Sequence, residues 1–286
     1  MTKNIIQRLP NPGSDHVPTR FLHRLFMRPF PKQVAGDIRL GFVYNSQIVL
    51  GLLGKELVQH FLLVGRSGSG KTNVLRIMQI ELARLGIPFM SFDLAKFGTR
   101  YIWHLIDGLM LLRWDKEFSF NLFVPPPGVS VKEWIMMVCD ITSDVFGIHT
   151  ASNLFLMRFI QQLFDQFKGH YPTMHDLNDA LKARAKQRIP RNEVGYIHTI
   201  RNKIEPICFV LGDMIGVQKG VSIEELLKHP VCIELVGIKS STMQIWIMSL
   251  IMAWITCYRE NQPMGFGKLQ HVFFFDEAAQ VIGKGE

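Results

Sequence analysis

One stretch constrains the fold of this 286-residue chain more than any other, and its sequence is Gly65-Arg66-Ser67-Gly68-Ser69-Gly70-Lys71-Thr72. A glycine, four residues and then Gly-Lys-Thr form the phosphate-binding loop pattern. The apolar run 60–64 before it is typical of a short strand, and residues 73–83 after it have apolar side chains at helical spacing. A strand, a glycine loop and a helix in this order predict an α/β fold that binds a nucleotide at the loop.

Each residue type in the loop suits a phosphate. The glycines reach backbone conformations closed to other residues, so successive amides can point inward around an anion. A helix that begins near Gly70 adds the positive end of its dipole. We expect Lys71 to reach the β- and γ-phosphates of ATP, and the Thr72 hydroxyl to bind Mg²⁺. The predicted nucleotide-binding residues are Gly65, Arg66, Ser67, Gly68, Ser69, Gly70, Lys71, Thr72 and Asn73.

The composition excludes a disordered chain, because 48% of the residues are hydrophobic and 20% are charged. The net charge of +8 favours polyanionic partners. Four widely spaced cysteines form no Cys-x-x-Cys pair, so we expect free buried thiols in a reducing compartment. The N-terminal residues lack the apolar core of a signal peptide, and the apolar stretch 243–258 is shorter than a span of about 20 residues. We therefore expect a cytoplasmic protein without a membrane segment.

Strand and helix patterns alternate along the rest of the chain, which predicts a mostly parallel sheet. Further strands are predicted at 47–50, 88–93, 108–114 and 231–236, and helices at 130–146, 151–168, 173–188, 193–211, 222–228 and 240–260. Ser130 and Thr173 are the predicted N-caps of two of these helices. Asp93 ends a strand, which places it near the nucleotide edge of the sheet, and Lys96 in the following loop is a further candidate for the site.

Basic residues crowd one part of the helical region. They are Lys182, Arg184, Lys186, Arg188, Arg191, Arg201 and Lys203. This cluster has two interpretations that the sequence leaves open: a cationic surface that follows nucleic-acid phosphates, or a solvated helix face.

A second candidate site lies near the end of the chain, where the apolar run 272–275 closes on Asp276 and Glu277. This pattern predicts a central strand with two carboxylates at its tip. Asp276 is expected to belong to the Mg²⁺ shell, and Glu277 to polarise a water for attack on the γ-phosphate. A small-molecule kinase must exclude water, whereas a hydrolysing motor needs a water-activating group. The pair therefore favours ATP hydrolysis coupled to mechanical work.

The order of these features resembles the HerA/FtsK group of RecA-like motor ATPases, and most of all its HerA-type members. The resemblance covers roughly residues 46–286. It rests on five features in order along the chain: the glycine loop, the strand ending in Asp93, the Phe-Asn-Leu segment with prolines at 120–127, the helical insertion at about 128–230 and the Phe-Phe-Phe-Asp-Glu-Ala run. It implies a ring, most simply a hexamer, that uses ATP and Mg²⁺ to translocate on double-stranded DNA. Lys71 and Glu277 would then be catalytic, and Thr72 and Asp276 would hold the metal. HerA-type proteins often work with a nuclease, which makes one a candidate partner.

The domain layout expected from the resemblance is an N-terminal adapter over 1–45 and a RecA-like ATPase domain over 46–286. The chain ends ten residues after Asp276, so we expect this domain to be cut short after its last strand, with the rest supplied by a longer chain or a partner. Two other functions remain open. One is a type IV secretion or conjugation ATPase of the same superfamily, and the other is a nucleotide-dependent binding module or switch with little turnover.

Overall fold

A computed structural model describes residues 35–42, 47–167, 169–262 and 269–276. Most of the predicted adapter segment lies outside these residues. The chain forms two compact units, one of Met1–Gly86 with Gly267–Gln270 and one of Ile87–Phe266 with His271–Glu286.

The first unit contains a β-hairpin and one long helix. Strand β1 (Ile38–Phe42) pairs antiparallel with β2 (Val49–Leu52), and helix α1 (Lys71–Arg84) packs on β1. Ile38 is fully buried. The strand predicted at 47–50 is therefore present, two residues later, but it belongs to a separate two-stranded sheet and not to the parallel one.

The second unit is built on a four-stranded parallel sheet in the order β4-β5-β3-β6, which confirms the predicted α/β class with a parallel sheet. The strands are β3 (Phe89–Asp93), β4 (Met110–Arg113), β5 (Val231–Glu234) and β6 (Val272–Phe275). Aromatic rings join β6 to β3: Phe274 meets Phe89 edge to face at 5.5 Å, and Phe275 stacks on Phe92 at 5.7 Å between ring centroids.

Six α-helices accompany this sheet in the described part of the second unit. They are α2 (Val131–Phe146), α3 (Thr150–Gln166), α4 (Met174–Ala185), α5 (Arg191–Leu211), α6 (Ile223–Leu226) and α7 (Ser241–Glu260). The two predicted N-caps are confirmed, because the hydroxyls of Ser130 and Thr173 accept from the amides of Glu133 and Asp176, each at 3.2 Å. Both acids hydrogen-bond back to the amide of the capping residue, which completes two capping boxes.

Buried tryptophans fix the segment that contains the Phe-Asn-Leu sequence. The indole nitrogen of Trp134 donates to the carbonyl of Leu122 at 2.9 Å, and that of Trp254 donates to the carbonyl of Val124 at 3.1 Å. Each ring thus fills the core and also donates to a backbone acceptor, and the Leu122 carbonyl would otherwise be buried without this partner.

Helix α7 is long and apolar enough to cross a membrane by length and composition alone, which is weak evidence because buried core helices pass the same test. Half of its residues are buried in the second unit, among them Trp246, which donates to the Thr142 hydroxyl at 3.0 Å. The buried Gln244 donates from its amide nitrogen to the carbonyls of Leu94 and Leu235, at 2.9 and 3.1 Å. Helix α7 therefore packs as a core helix that is hydrogen-bonded to the chain just beyond β3 and β5.

The four cysteines are buried and free, as predicted. Burial raises the pKa of the Cys208 thiol to about 11, so this group is protonated at neutral pH.

Candidate functional site

The predicted glycine loop leads directly into α1. Gly70 is the N-cap of this helix with a φ of 93°, and Gly68 has a φ of 76°. Both values lie in the left-handed region, where glycine is strongly preferred. A Cβ on Gly65 would lie 2.5 Å from the Ser69 hydroxyl, so a larger residue there would force the Ser69 side chain to move.

Lys71 at the start of α1 lies against the glycine loop. The Lys71 ammonium donates to the carbonyls of Gly65 and Arg66, at 2.7 and 2.8 Å, and the loop therefore curves around this side chain. No side-chain hydrogen bond caps the start of α1 at Gly70, and the positive end of the helix dipole lies at the loop, where it favours an anion. These features fit the phosphates of ATP with Lys71 as the cationic partner.

The strand predicted at 60–64 is wrong. The structure assigns no strand to these residues, and the side chains of Phe61, Leu62 and Val64 are 47%, 71% and 79% exposed. A β-prone run becomes a strand only where another strand accepts its backbone hydrogen bonds, and the local pattern carries no information about that partner.

The predicted carboxylate pair is described only in part. Asp276 follows β6 directly and is half-buried, as expected for the tip of that strand. Glu277 lies outside the described residues. The shared magnesium ion between Thr72 and Asp276, and the water-activating role of Glu277, therefore stay predictions.

Asp93 lies at the carboxyl end of β3 and is buried, as its position predicted. Its carboxylate accepts from the amide of Thr99 at 3.0 Å and from the Thr99 hydroxyl at 3.1 Å, which fixes the start of a 3₁₀ helix, Thr99–Leu105. Burial raises the pKa of the Asp93 carboxyl, and the charge of Glu234 acts in the same direction. Lys96 is exposed in the loop between Asp93 and this helix.

An ion pair that sequence reasoning missed lies beside Asp93. Glu234 ends β5 in register with Asp93 and is 1% exposed, and the Arg100 guanidinium donates to both of its oxygens at 2.5 Å. The Arg100 guanidinium also lies over the Phe97 ring, with its central carbon Cζ 4.1 Å from the ring centroid. The sequence signal was a glutamate inside the apolar run 231–236, since a charged side chain within a buried strand requires a partner.

These contacts build one edge of the sheet. The two buried carboxylates hold the loop 94–100, one through Thr99 and the other through Arg100. Ligands of open parallel sheets bind beyond the carboxyl ends of the strands, so this loop belongs to the edge where chemistry is expected.

Comparison with known proteins identifies relatives by fold only. No family model matches the sequence, and no curated protein matches it. The fold is similar to VirB4 of Thermoanaerobacter pseudethanolicus, with a TM-score of 0.59 and 10% identity over 86% of this chain and 69% of that one. It is also similar to TrwBΔN70, a bacterial conjugative coupling protein, with a TM-score of 0.53 and 15% identity over 76% of this chain and 54% of that one.

At these identities the likeness establishes the fold and nothing more. The chain has the α/β fold of RecA-like P-loop ATPases, as predicted. The narrower resemblance to HerA-type proteins is not confirmed by these two structures.

Proposed function

We propose that this protein is an ATP-hydrolysing motor of the secretion and conjugation branch of the FtsK/HerA-like superfamily. The observation that carries the proposal is a Gly-x₄-Gly-Lys-Thr loop opening into a helix, in a chain whose fold is similar to VirB4 and TrwB. Both structural neighbours favour this branch over the HerA type.

The residues have separate roles in this function. Lys71 and the amides at the start of α1 bind the phosphates. Thr72 and Asp276 would hold Mg²⁺ through oxygen ligands of the kind that it prefers, and the bound ion would neutralise charge on the phosphates. Glu277 accepts the proton of the attacking water.

The working unit we propose is a homo-oligomeric ring, most simply a hexamer, with DNA as the cargo. TrwB is a conjugative coupling protein, and the net charge of +8 suits a polyanion. HerA-type translocation on double-stranded DNA, with a nuclease as partner, is the second candidate, and it is favoured by the order of motifs along the sequence. Cytoplasmic localisation is part of both proposals.

The test measures ATP turnover with and without duplex DNA, together with the mass of the oligomer in the presence of ATP. We expect DNA-stimulated turnover that Lys71→Ala abolishes through loss of ATP binding. Glu277→Gln should abolish turnover but retain ATP binding, because it removes the base and leaves the phosphate site intact. Tight ATP binding without turnover in any oligomeric state would refute the motor and favour a nucleotide switch.

A further inference from the structure

The helical hairpin formed by α4 and α5 carries much of the positive charge of the chain. Residues 179–205 contain seven lysines and arginines and only three acids, Asp179, Glu193 and Glu205. Three of these seven cations form ion pairs, three lie exposed at the turn between the helices, and the seventh, Lys203, is half-buried on α5.

All three acids are used in ion pairs within the hairpin. Lys182 pairs with Glu205 at 3.6 Å and with Asp179 at 4.0 Å, and Arg184 pairs with Glu193 at 2.9 Å. Arg201 pairs with Glu205 at 3.3 Å. The Lys182–Glu205 and Arg184–Glu193 pairs join α4 to α5, so these cations have a structural role.

Three cations at the turn between the helices are left without such a role. Lys186, Arg188 and Arg191, which we call the basic tip, are exposed, and no ion pair ties them to an acid in the described part of the hairpin. They lie within six consecutive residues. At low ionic strength the three positive charges repel one another with little screening. A bound anion would relieve this repulsion.

Backbone hydrogen bonds hold the tip at both of its ends. The amides of Lys186 and Gln187 donate to the carbonyls of Ala183 and Arg184, at 3.2 and 3.1 Å. Pro190 has a restricted φ at the entry to α5, and its carbonyl accepts from the amide of Glu193 at 3.0 Å. The three side chains therefore project from a short turn between two helix ends, which keeps them close together.

Arg191 is the most informative member because it occupies the first position of α5. A cation there opposes the helix dipole, and an acid would stabilise the helix better. The charge of Arg191 therefore adds to the positive end of the dipole at the turn, which favours a ligand of negative charge.

We infer that the basic tip binds the sugar-phosphate backbone of nucleic acid without reading its sequence. Three neighbouring exposed cations on one turn suit a ligand with regularly spaced phosphates. The inference rests on the proposed function in taking nucleic acid as the cargo, and it assigns that cargo a contact on the helical insertion.

The test compares two triple variants with equal loss of charge. The tip variant is Lys186→Gln, Arg188→Gln and Arg191→Gln. The control variant is Lys132→Gln, Lys219→Gln and Lys228→Gln, at three exposed lysines of the same unit. Affinity for a duplex DNA of random sequence is measured over a series of salt concentrations without nucleotide, and circular dichroism checks that both variants are folded.

We expect the tip variant to bind about tenfold or more weakly at low salt, and its plot of log K against log salt to be less steep by about 2 to 3, because three phosphate contacts are lost. The control variant should retain most of the slope. Equal losses in both variants, an unchanged slope in the tip variant, or no DNA binding by the unmodified chain would overturn the inference. So would loss of binding to polyglutamate with unchanged DNA affinity, since the tip would then fit an acidic protein.

The two proposals fail separately. DNA binding through the tip in a chain that shows no ATP turnover would refute the motor and leave the basic tip. ATP turnover with a tip variant that binds DNA like the unmodified chain would refute the tip and leave the motor.

Discussion

Replacement of Arg100 by methionine tests the ion pair at the sheet edge. Glu234 is 1% exposed, whereas the Arg100 side chain is 41% exposed. Removal of one partner from a fully buried pair costs about 3–5 kcal/mol. Because water reaches Arg100, we reduce this figure and expect Arg100→Met to lower the free energy of unfolding by about 2 kcal/mol.

Urea unfolding monitored by tryptophan fluorescence is the suitable assay, because all five tryptophans lie in the second unit. The double variant Arg100→Met with Glu234→Met should recover most of the loss, since it leaves no buried charge. Lys228→Met is the control, because Lys228 and its partner Glu225 are both exposed. This variant should leave the free energy of unfolding unchanged. An Arg100→Met variant as stable as the unmodified chain, or a double variant less stable than the single one, would refute this account.

Two further substitutions test other contacts. Gly70→Ala should weaken ATP binding at least about tenfold. The φ of 93° at Gly70 sets the conformation of the loop, and it costs alanine about 1–2 kcal/mol. Gly86→Ala is the control, because Gly86 lies beyond the other end of α1, has a φ of 69° and also has open space around a Cβ. It should lower the free energy of unfolding by a similar amount and leave the ATP affinity measured by calorimetry unchanged. Equal losses of ATP affinity in the two variants would contradict the phosphate site. Trp134→Phe should lower the free energy of unfolding by about 1–3 kcal/mol, because the Leu122 carbonyl loses its donor. A loss below about 0.5 kcal/mol, measured by urea unfolding, would show that this hydrogen bond is dispensable.

Helices and their caps were predictable because their signals are local. Ser130 and Thr173 lie three residues before an acid, and the structure has a capping box at each. The glycine loop was predictable for the same reason, since its residue types follow from the backbone conformations that a phosphate cradle needs.

Contacts between distant parts of the chain were not predictable. The sequence did not show that β3 pairs with both β5 and β6, or that Arg100 meets Glu234 across 134 positions. The exposed run 60–64 is the clearest case, since its pattern is that of a strand and only a partner decides whether one forms. The cations of the helical insertion had two interpretations for the same reason, because their acidic partners lie on another helix.

The single amide nitrogen of Gln244 has a mechanical consequence. It holds the carbonyls of Leu94 and Leu235 together, so a shift of one strand tip alone must break a hydrogen bond, whereas a joint shift with α7 keeps both. Helix α7 has 20 residues and a length of about 30 Å. A displacement that β3 and β5 share at this edge would therefore move α7 as a rigid helix, including its far end at Glu260.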